Sequence, residues 1–265
     1  MKKLSDFFEV ENDVFVNDIV IDSRLVKKND MFVCVKGINS DRHDFIPVAI
    51  ENGAGCIVGS KDIECSVPYI KVDNPDAILV DLCKKNYDFD DSLKIIGVTG
   101  TDGKTTTTTC VQTLIGSDLC GYIGTNGISC KKFSDTSNNS TPDPTILYKS
   151  FKRFKDAGCK YVVMEASSEG LYRNRLDGLD FIVGAYTNVT WEHINVHKTF
   201  ENYLNTKVSL VDKCKDYFIV NLDEENHEKF MKPGKKILSY GTKEICDLYI
   251  KNYHVEDRYT NVTFI

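Results

Sequence analysis

The sequence predicts an α/β protein of two units: a small N-terminal α/β unit, then a larger one built on a parallel sheet with a phosphate-loop turn. Three observations carry this. Short apolar runs alternate with helix-like segments along the chain. An acidic stretch, Asp88-Phe89-Asp90-Asp91-Ser92, separates two such series. A glycine-rich turn, Gly100-Thr101-Asp102-Gly103-Lys104-Thr105-Thr106, lies between an apolar strand and a helix at the head of the second. Strand and helix in that rhythm give a parallel sheet covered on both faces.

The 265 residues suffice for one large domain or two ordinary ones, and the acidic stretch sets the expected division at 1–90 and 91–265. In the first unit, Met31–Lys36 reads as a strand and His43–Asn52 as a helix, with Phe45, Ile46, Ala49 and Ile50 on one face. Gly53 is its expected C-cap and Cys56–Gly59 another strand. In the second unit, Leu93–Thr99 is the strand that feeds the glycine turn. Further strands are expected at Tyr161–Glu165, Phe181–Tyr186, Tyr217–Asn221 and Lys236–Tyr240, and helices at Thr145–Ala157 and Phe200–Leu210.

Composition narrows the function classes. The chain is 42% hydrophobic and 27% charged, and no apolar run approaches the roughly 20 residues that span a bilayer. Asp6 and Glu9 stand where a signal peptide needs an apolar core, so secretion is not expected and a cytoplasmic location is. A net charge of -6 with no basic stripe argues against a nucleic-acid partner. The ten cysteines are scattered without C-x-x-C spacing, which reads as reduced thiols used as small apolar residues.

The glycine turn places its chemistry plainly. Glycines let backbone amides close round phosphates, a helix N-terminus favours negative charge, Lys104 reaches terminal phosphates, and the Thr105 hydroxyl suits a magnesium ion. The strict G-x-x-x-x-G-K-[ST] pattern fails, because Val98 stands five before Gly103. Glu165 ends an apolar strand, where a buried carboxylate needs a metal or a salt-bridge partner. Arg175 suits a bidentate contact with a carboxylate or phosphate. A lone histidine such as His193 in a loop is ordinarily no ligand, and Lys207 on a helix is ordinarily solvated.

The variant T-G-T-x-G-K-T-T, matched by Thr99–Thr106, resembles the signature of the Mur ligases and their folylpolyglutamate-synthetase relatives. Four further stretches are similar to the tripeptide-forming members: Ile21–Gly37 with Asp41-Arg42-His43; Asn139–Pro144; Met164–Leu171 with Arg173 and Arg175; and Thr187–His193 with His197. The resemblance implies a UDP-binding N-terminal domain and a P-loop-type parallel-sheet ATPase domain. The family's third, Rossmann-like domain and its D-N-P-R segment are expected to be absent, leaving a truncated or split product or a chain acting with a second one.

By that resemblance the chain is an ADP-forming ligase of peptidoglycan biosynthesis. ATP phosphorylates a carboxylate of UDP-N-acetylmuramoyl-L-alanyl-D-glutamate, and an amino acid, lysine or diaminopimelate, displaces phosphate from the acyl phosphate. ATP falls to Gly100, Thr101, Asp102, Gly103, Lys104, Thr105 and Thr106; substrate to Ser23, Ser140, Thr141, Ser168, Arg173 and Arg175. Magnesium falls to Thr105, Glu165, His193 and a carbamylated Lys207, with Lys104, Lys207, Glu165 and His193 catalytic. Alone, the 265 residues are expected to bind precursor but turn over poorly. Three positions depart from the family: Asp102 for Asn, Glu169 for His and Glu192 for Asp. They leave open a Mur-like ligase with another substrate, or a non-catalytic binding remnant.

Overall fold

The computed structural model describes residues 2–36, 41–192 and 194–265. The chain divides into two compact units: Met1–Asp90 with Asp143–Lys152, and Asp91–Pro142 with Arg153–Ile265.

In the first unit β1 (Lys2–Lys3) pairs antiparallel with β2 (Phe15–Val16). A separate four-stranded parallel sheet runs β3 (Ile19–Val20), β4 (Met31–Val33), β5 (Cys56–Gly59), β6 (Tyr69–Lys71). Every residue of β4 and β5 is buried, as expected of parallel strands covered on both faces. Val26, Phe32, Cys34, Ile46, Ala49, Ala54 and Ile57 form the core.

The helix expected at His43–Asn52 is split. Arg42–Phe45 is a 3-10 turn capped by Asp41, and α1 covers Ile46–Glu51. Pro47 is the reason: it has no N–H to give and its ring collides with a preceding helical turn, so a helix tolerates it only near its start. The split also turns Phe45 outward, 40% exposed, so it does not share the buried face of Ile46 and Ala49. Gly53 does follow the helix with φ +101°. α2 (Pro75–Asn86) begins on Asn74, whose side chain accepts from the amides of Asp76 and Ala77, and ends on Lys84 and Lys85.

The second unit opens with β7 (Lys94–Thr99) and α3 (Lys104–Ile115), then β8 (Cys120–Gly124), β9 (Gly127–Cys130) and β10 (Phe133–Asp135). Next come α4 (Pro144–Ala157), β11 (Tyr161–Glu165), α5 (Ser168–Tyr172) and β12 (Phe181–Tyr186). α6 (Ile194–His197), α7 (Phe200–Asp212), β13 (Cys214–Asn221), β14 (Lys236–Gly241), β15 (Leu248–Val255) and β16 (Thr260–Phe264) complete it. Helix α4 is shared: its start clusters with the first unit and its residues from Arg153 onward with the second.

One sheet takes these strands in the order β10-β9-β8-β11-β7-β12-β13-β14-β15-β16. From β8 to β15 all neighbours are parallel, and antiparallel hairpins close both edges. Ile96 of β7 and Val111 and Ile115 of α3 pack against the same buried cluster of Cys120, Tyr122 and Val163 on one face of the sheet. Gly97, one residue on, leaves room for Phe181 on the other, with Leu210 of α7 beside it. Both faces are therefore covered, as the strand rhythm predicts. Because β7 lies between β11 and β12, the loops leaving all three strands emerge side by side at one sheet edge, the usual place for a ligand crevice in such sheets.

Candidate functional site

That edge holds a cleft of about 420 Å³, lined by the phosphate loop from Thr101 to Thr106, by Thr125, by Asn139, Ser140 and Thr141, by Glu165, Ser167, Ser168, Glu169 and Arg175, and by Lys207. Its lining comes from segments far apart in the chain, and all of it belongs to the second unit.

The loop's glycines answer to close approach and to turn geometry. A Cβ on Gly100 would sit 1.8 Å from Thr187 Oγ1. Gly103 takes φ +80° at the N-cap of α3, a left-handed conformation that only glycine adopts cheaply. The first turn of α3 has N–H groups that the helix itself cannot use, a ready anion site. Lys104 opens that helix and folds back over the loop, its Nζ donating to the carbonyls of Gly100 (2.8 Å) and Thr101 (2.7 Å). Burial lowers its pKa, opposed by the charges of Glu165, Glu192 and Asp102. Among the described residues its hydrogen bonds go to loop carbonyls, which leaves its charge available to an incoming anion.

Glu165 ends β11 and is 1% exposed. Its Oε1 accepts from Thr105 Oγ1 (2.9 Å), Tyr122 OH (3.0 Å) and the Thr125 amide (2.8 Å), and its Oε2 from Thr125 Oγ1 (3.1 Å). Gly124 makes this possible, since a Cβ there would lie 2.4 Å from Oε1. No ion pair to Glu165 occurs among the described residues, so the salt-bridge account of this carboxylate is not what the fold uses. A threonine hydroxyl beside a buried carboxylate is a hard oxygen set that suits Mg²⁺.

Lys207, on α7, is 1% exposed and donates to the carbonyl of Gly100 at 2.5 Å, its one hydrogen bond among the described residues. Burial first, and the Lys104 charge second, hold its pKa down to about 7. It is thus no solvated helix lysine. A buried amine that sheds its proton near neutrality is a nucleophile.

Next to Glu165, Thr141 Oγ1 donates to the Glu165 carbonyl (2.7 Å) and accepts from the Ser167 amide (3.0 Å), while Arg175 Nη1 donates to the Thr141 carbonyl (2.9 Å). Ser167 caps α5, accepting from the Gly170 amide. Ser140 and Ser168 also face the cleft. Arg173 is not part of the lining; its Nε donates to Glu169 Oε1 at 2.7 Å. Ser23 is buried in the first unit, where its carbonyl accepts from Asn52. His193 lies outside the described residues. His197 is buried between the rings of Tyr172 and Tyr203.

Sequence reasoning missed Tyr122 and Thr125, which grip Glu165, and it quoted Thr187 and Asn188 without a role. The first pair sits in Gly121–Gly127 (GYIGTNG), where the only signal is a cluster of glycines around two hydroxyls.

Two family models match the chain, one described as "Mur ligase middle domain" over residues 98–265 and one as "Mur ligase family, catalytic domain" over residues 16–87. The UDP-N-acetylmuramoyl-L-alanyl-D-glutamate--2,6-diaminopimelate ligase of Clostridium botulinum is 38% identical over 275 residues, covering 97% of this chain and 55% of the relative. A solved structure of a ligase with the same descriptive name superposes with a TM-score of 0.78 at 24% identity, covering 94% of this chain and 53% of that one. The MurF ligase of Thermotoga maritima, solved in complex with ADP, gives 0.68 at 23% identity, covering 94% and 56%. The chain spans about half the length of the curated relatives it matches.

Proposed function

The chain belongs to the Mur ligase family, and on that premise we propose that it serves an ATP-dependent amide ligase of peptidoglycan synthesis. Its substrate is UDP-N-acetylmuramoyl-L-alanyl-D-glutamate, and the amino acid added is diaminopimelate, the residue in the relatives' names. One observation carries the reading: Lys104, Thr105, Glu165 and Lys207 share a cleft with Ser140, Thr141, Ser168 and Arg175. A phosphate-binding helix start, a hard-oxygen metal set and a polar wall with a guanidinium meet there as a carboxylate-activating ligase requires.

Each group has a role. The amides at the start of α3 and Lys104 hold the triphosphate, and Lys104 offsets negative charge on the transferred phosphoryl group. Thr105 and Glu165 would hold a magnesium ion, which would supply Lewis-acid neutralisation of the phosphate oxygens. Arg175, with Ser140, Thr141 and Ser168, orients the peptide carboxylate. Lys207, neutral in part at pH 7, would take up carbon dioxide at Nζ with loss of a proton, and the carbamate would offer a second anionic oxygen to the metal; a ligand role for His193 rests on resemblance alone. The first unit, through Ser23, takes the UDP end, which makes 1–90 the uridine-binding and 91–265 the nucleotide-binding portion. Arg173 acts from beside the cleft. ATP and a UDP-linked precursor place the reaction in the cytoplasm.

A second reading has one observation in its favour. Glu169 brings a carboxylate into the wall of a cleft meant for an anionic substrate, and Arg173 compensates it. That pairing suits a Mur-like amide ligase with a different carboxylate substrate. Calorimetric titration of the chain with UDP-N-acetylmuramoyl-L-alanyl-D-glutamate separates the two. Saturable binding that Arg175→Ala weakens by about tenfold or more supports the first reading. Binding of MgADP with no response to the precursor favours the second, and response to neither overturns both.

A further inference from the structure

We infer that Asn188 is the positioning residue of the phosphate loop, fixing the two peptide groups that flank the Asp102 Cα and leaving the phosphates to the amides from Gly103 onward. The inference rests on the nucleotide reading above and adds to it which part of the loop does the binding.

The observation is a clasp. Asn188 Oδ1 accepts from the Asp102 amide at 2.8 Å, and Asn188 Nδ2 donates to the Asp102 carbonyl at 3.2 Å. Thr187 Oγ1 donates to the same carbonyl at 2.7 Å, so both lone pairs of that oxygen are taken. One residue back, the Thr101 amide donates to the Asn188 carbonyl at 2.9 Å, and Thr101 Oγ1 accepts from the Thr190 amide at 2.9 Å. The strap is itself tied down. The Thr187 amide donates to the Thr99 carbonyl at 3.1 Å, and Asn221 Nδ2 donates to the Thr187 carbonyl at 3.0 Å.

A backbone N–H has one hydrogen to give. The amides of Thr101 and Asp102 have given theirs to Asn188, so a phosphate at this loop meets the left-handed Gly103 and the first turn of α3 instead. Asn188 therefore acts through the loop. It touches no phosphate, but it holds the backbone on both sides of the Asp102 Cα in the orientation that aims the following amides at the cleft. A preformed cradle binds more tightly than one ordered on binding. Asparagine suits the task because its amide donates and accepts at once across a peptide, much as a strand neighbour does.

The test follows backbone amides of the ¹⁵N-labelled full chain while MgADP is added, with affinities of the variants from calorimetry. The amides of Gly103, Lys104 and Thr105 are expected to shift and those of Thr101 and Asp102 to stay. Asn188→Ala is expected to weaken MgADP about tenfold, with the affinity for UDP-N-acetylmuramoyl-L-alanyl-D-glutamate unchanged. Thr187→Val, which keeps the shape and removes one of the three bonds to the Asp102 peptide, is expected to cost about threefold, and it serves if the alanine variant fails to fold. An Asp102 amide that shifts as far as that of Gly103, or Asn188→Ala binding MgADP as tightly as the unaltered chain, overturns the inference. If the unaltered chain shows no MgADP response at any amide, the nucleotide reading falls and takes this one with it.

Discussion

The two units treat buried polar groups differently. In the first, Asp30 and His43 are answered by groups from their own unit that lie within 20 residues in the chain. Asp30 accepts from the Lys27 amide and from Asn17. His43 is held by Asp41 on one ring nitrogen (2.6 Å) and by the Ser60 amide on the other (2.9 Å). In the second, buried ionisable groups come from positions about 40 to 100 residues apart and meet with little charge compensation. Among the described residues, Lys207 donates to a carbonyl 107 residues away, and Glu165 is answered by hydroxyls and an amide with no ion pair. Polar groups that close a local loop repay their own desolvation. Buried charges held without ion pairs at the ends of neighbouring strands are the arrangement that a bound ligand would complete.

If that contrast is right, the largest effect comes from the most exposed part of the charge reserve. Lys104→Ala is expected to cut MgADP affinity about 100-fold, roughly 2.7 kcal/mol, while circular dichroism and the melting temperature barely change. An affinity within threefold of the unaltered chain contradicts it.

Next comes Lys207, where stability and function should part. Its folded pKa of about 7 lies below that of the unfolded chain, near 10.4. Below pH 7 both states hold the proton and the folded state bears the full burial penalty; as pH rises from 7 toward 10 the penalty is relieved. Lys207→Met should therefore stabilise the chain by on the order of 2 kcal/mol at pH 6 in buffers free of carbon dioxide, with the gain shrinking by pH 9, while it removes the amine proposed to take up carbon dioxide. Thermal melts at the two pH values check it, and a gain that grows with pH contradicts it.

Glu165→Gln sharpens the metal half of the comparison. The amide fits the same pocket of donors, and the Thr125 hydroxyl can accept where it formerly donated. The fold should survive, and the gain in nucleotide affinity conferred by Mg²⁺ over EDTA should fall about tenfold. The smallest effect lies in the first unit. His43→Ala leaves the Ser60 amide without its acceptor and should cost about 1–2 kcal/mol in urea unfolding, with MgADP affinity untouched.

Much of this was legible in the sequence. Tyr161–Glu165 and Phe181–Tyr186 were read to the residue, because a buried parallel strand is a continuous apolar run with sharp ends. The glycine turn, Glu165, Thr141, Arg175 and Lys207 were read from motif and resemblance, and the structure brings them to one cleft. Strands β8 to β10 were not read, since Gly121, Gly124 and Gly127 carry no strand preference of their own. Gly121 makes room for Phe154, and Gly124 for Tyr122 and Glu165, a reason visible only in three dimensions. β15 and β16 escaped because their largely exposed residues lack a buried face to set the alternation. Eight of the ten cysteines are buried, as small apolar residues would be.

The sharpest measurement is a double-mutant cycle on MgADP affinity between Lys104→Ala and Glu165→Gln, which are 61 positions apart in sequence and here assigned to one ligand. The account predicts strong coupling: the double variant should lose at least about fivefold less affinity than the product of the single losses, since the second change removes a contact already compromised. Losses that simply multiply would mean that the lysine and the carboxylate serve separate sites, and the shared cleft would not be where nucleotide and metal meet.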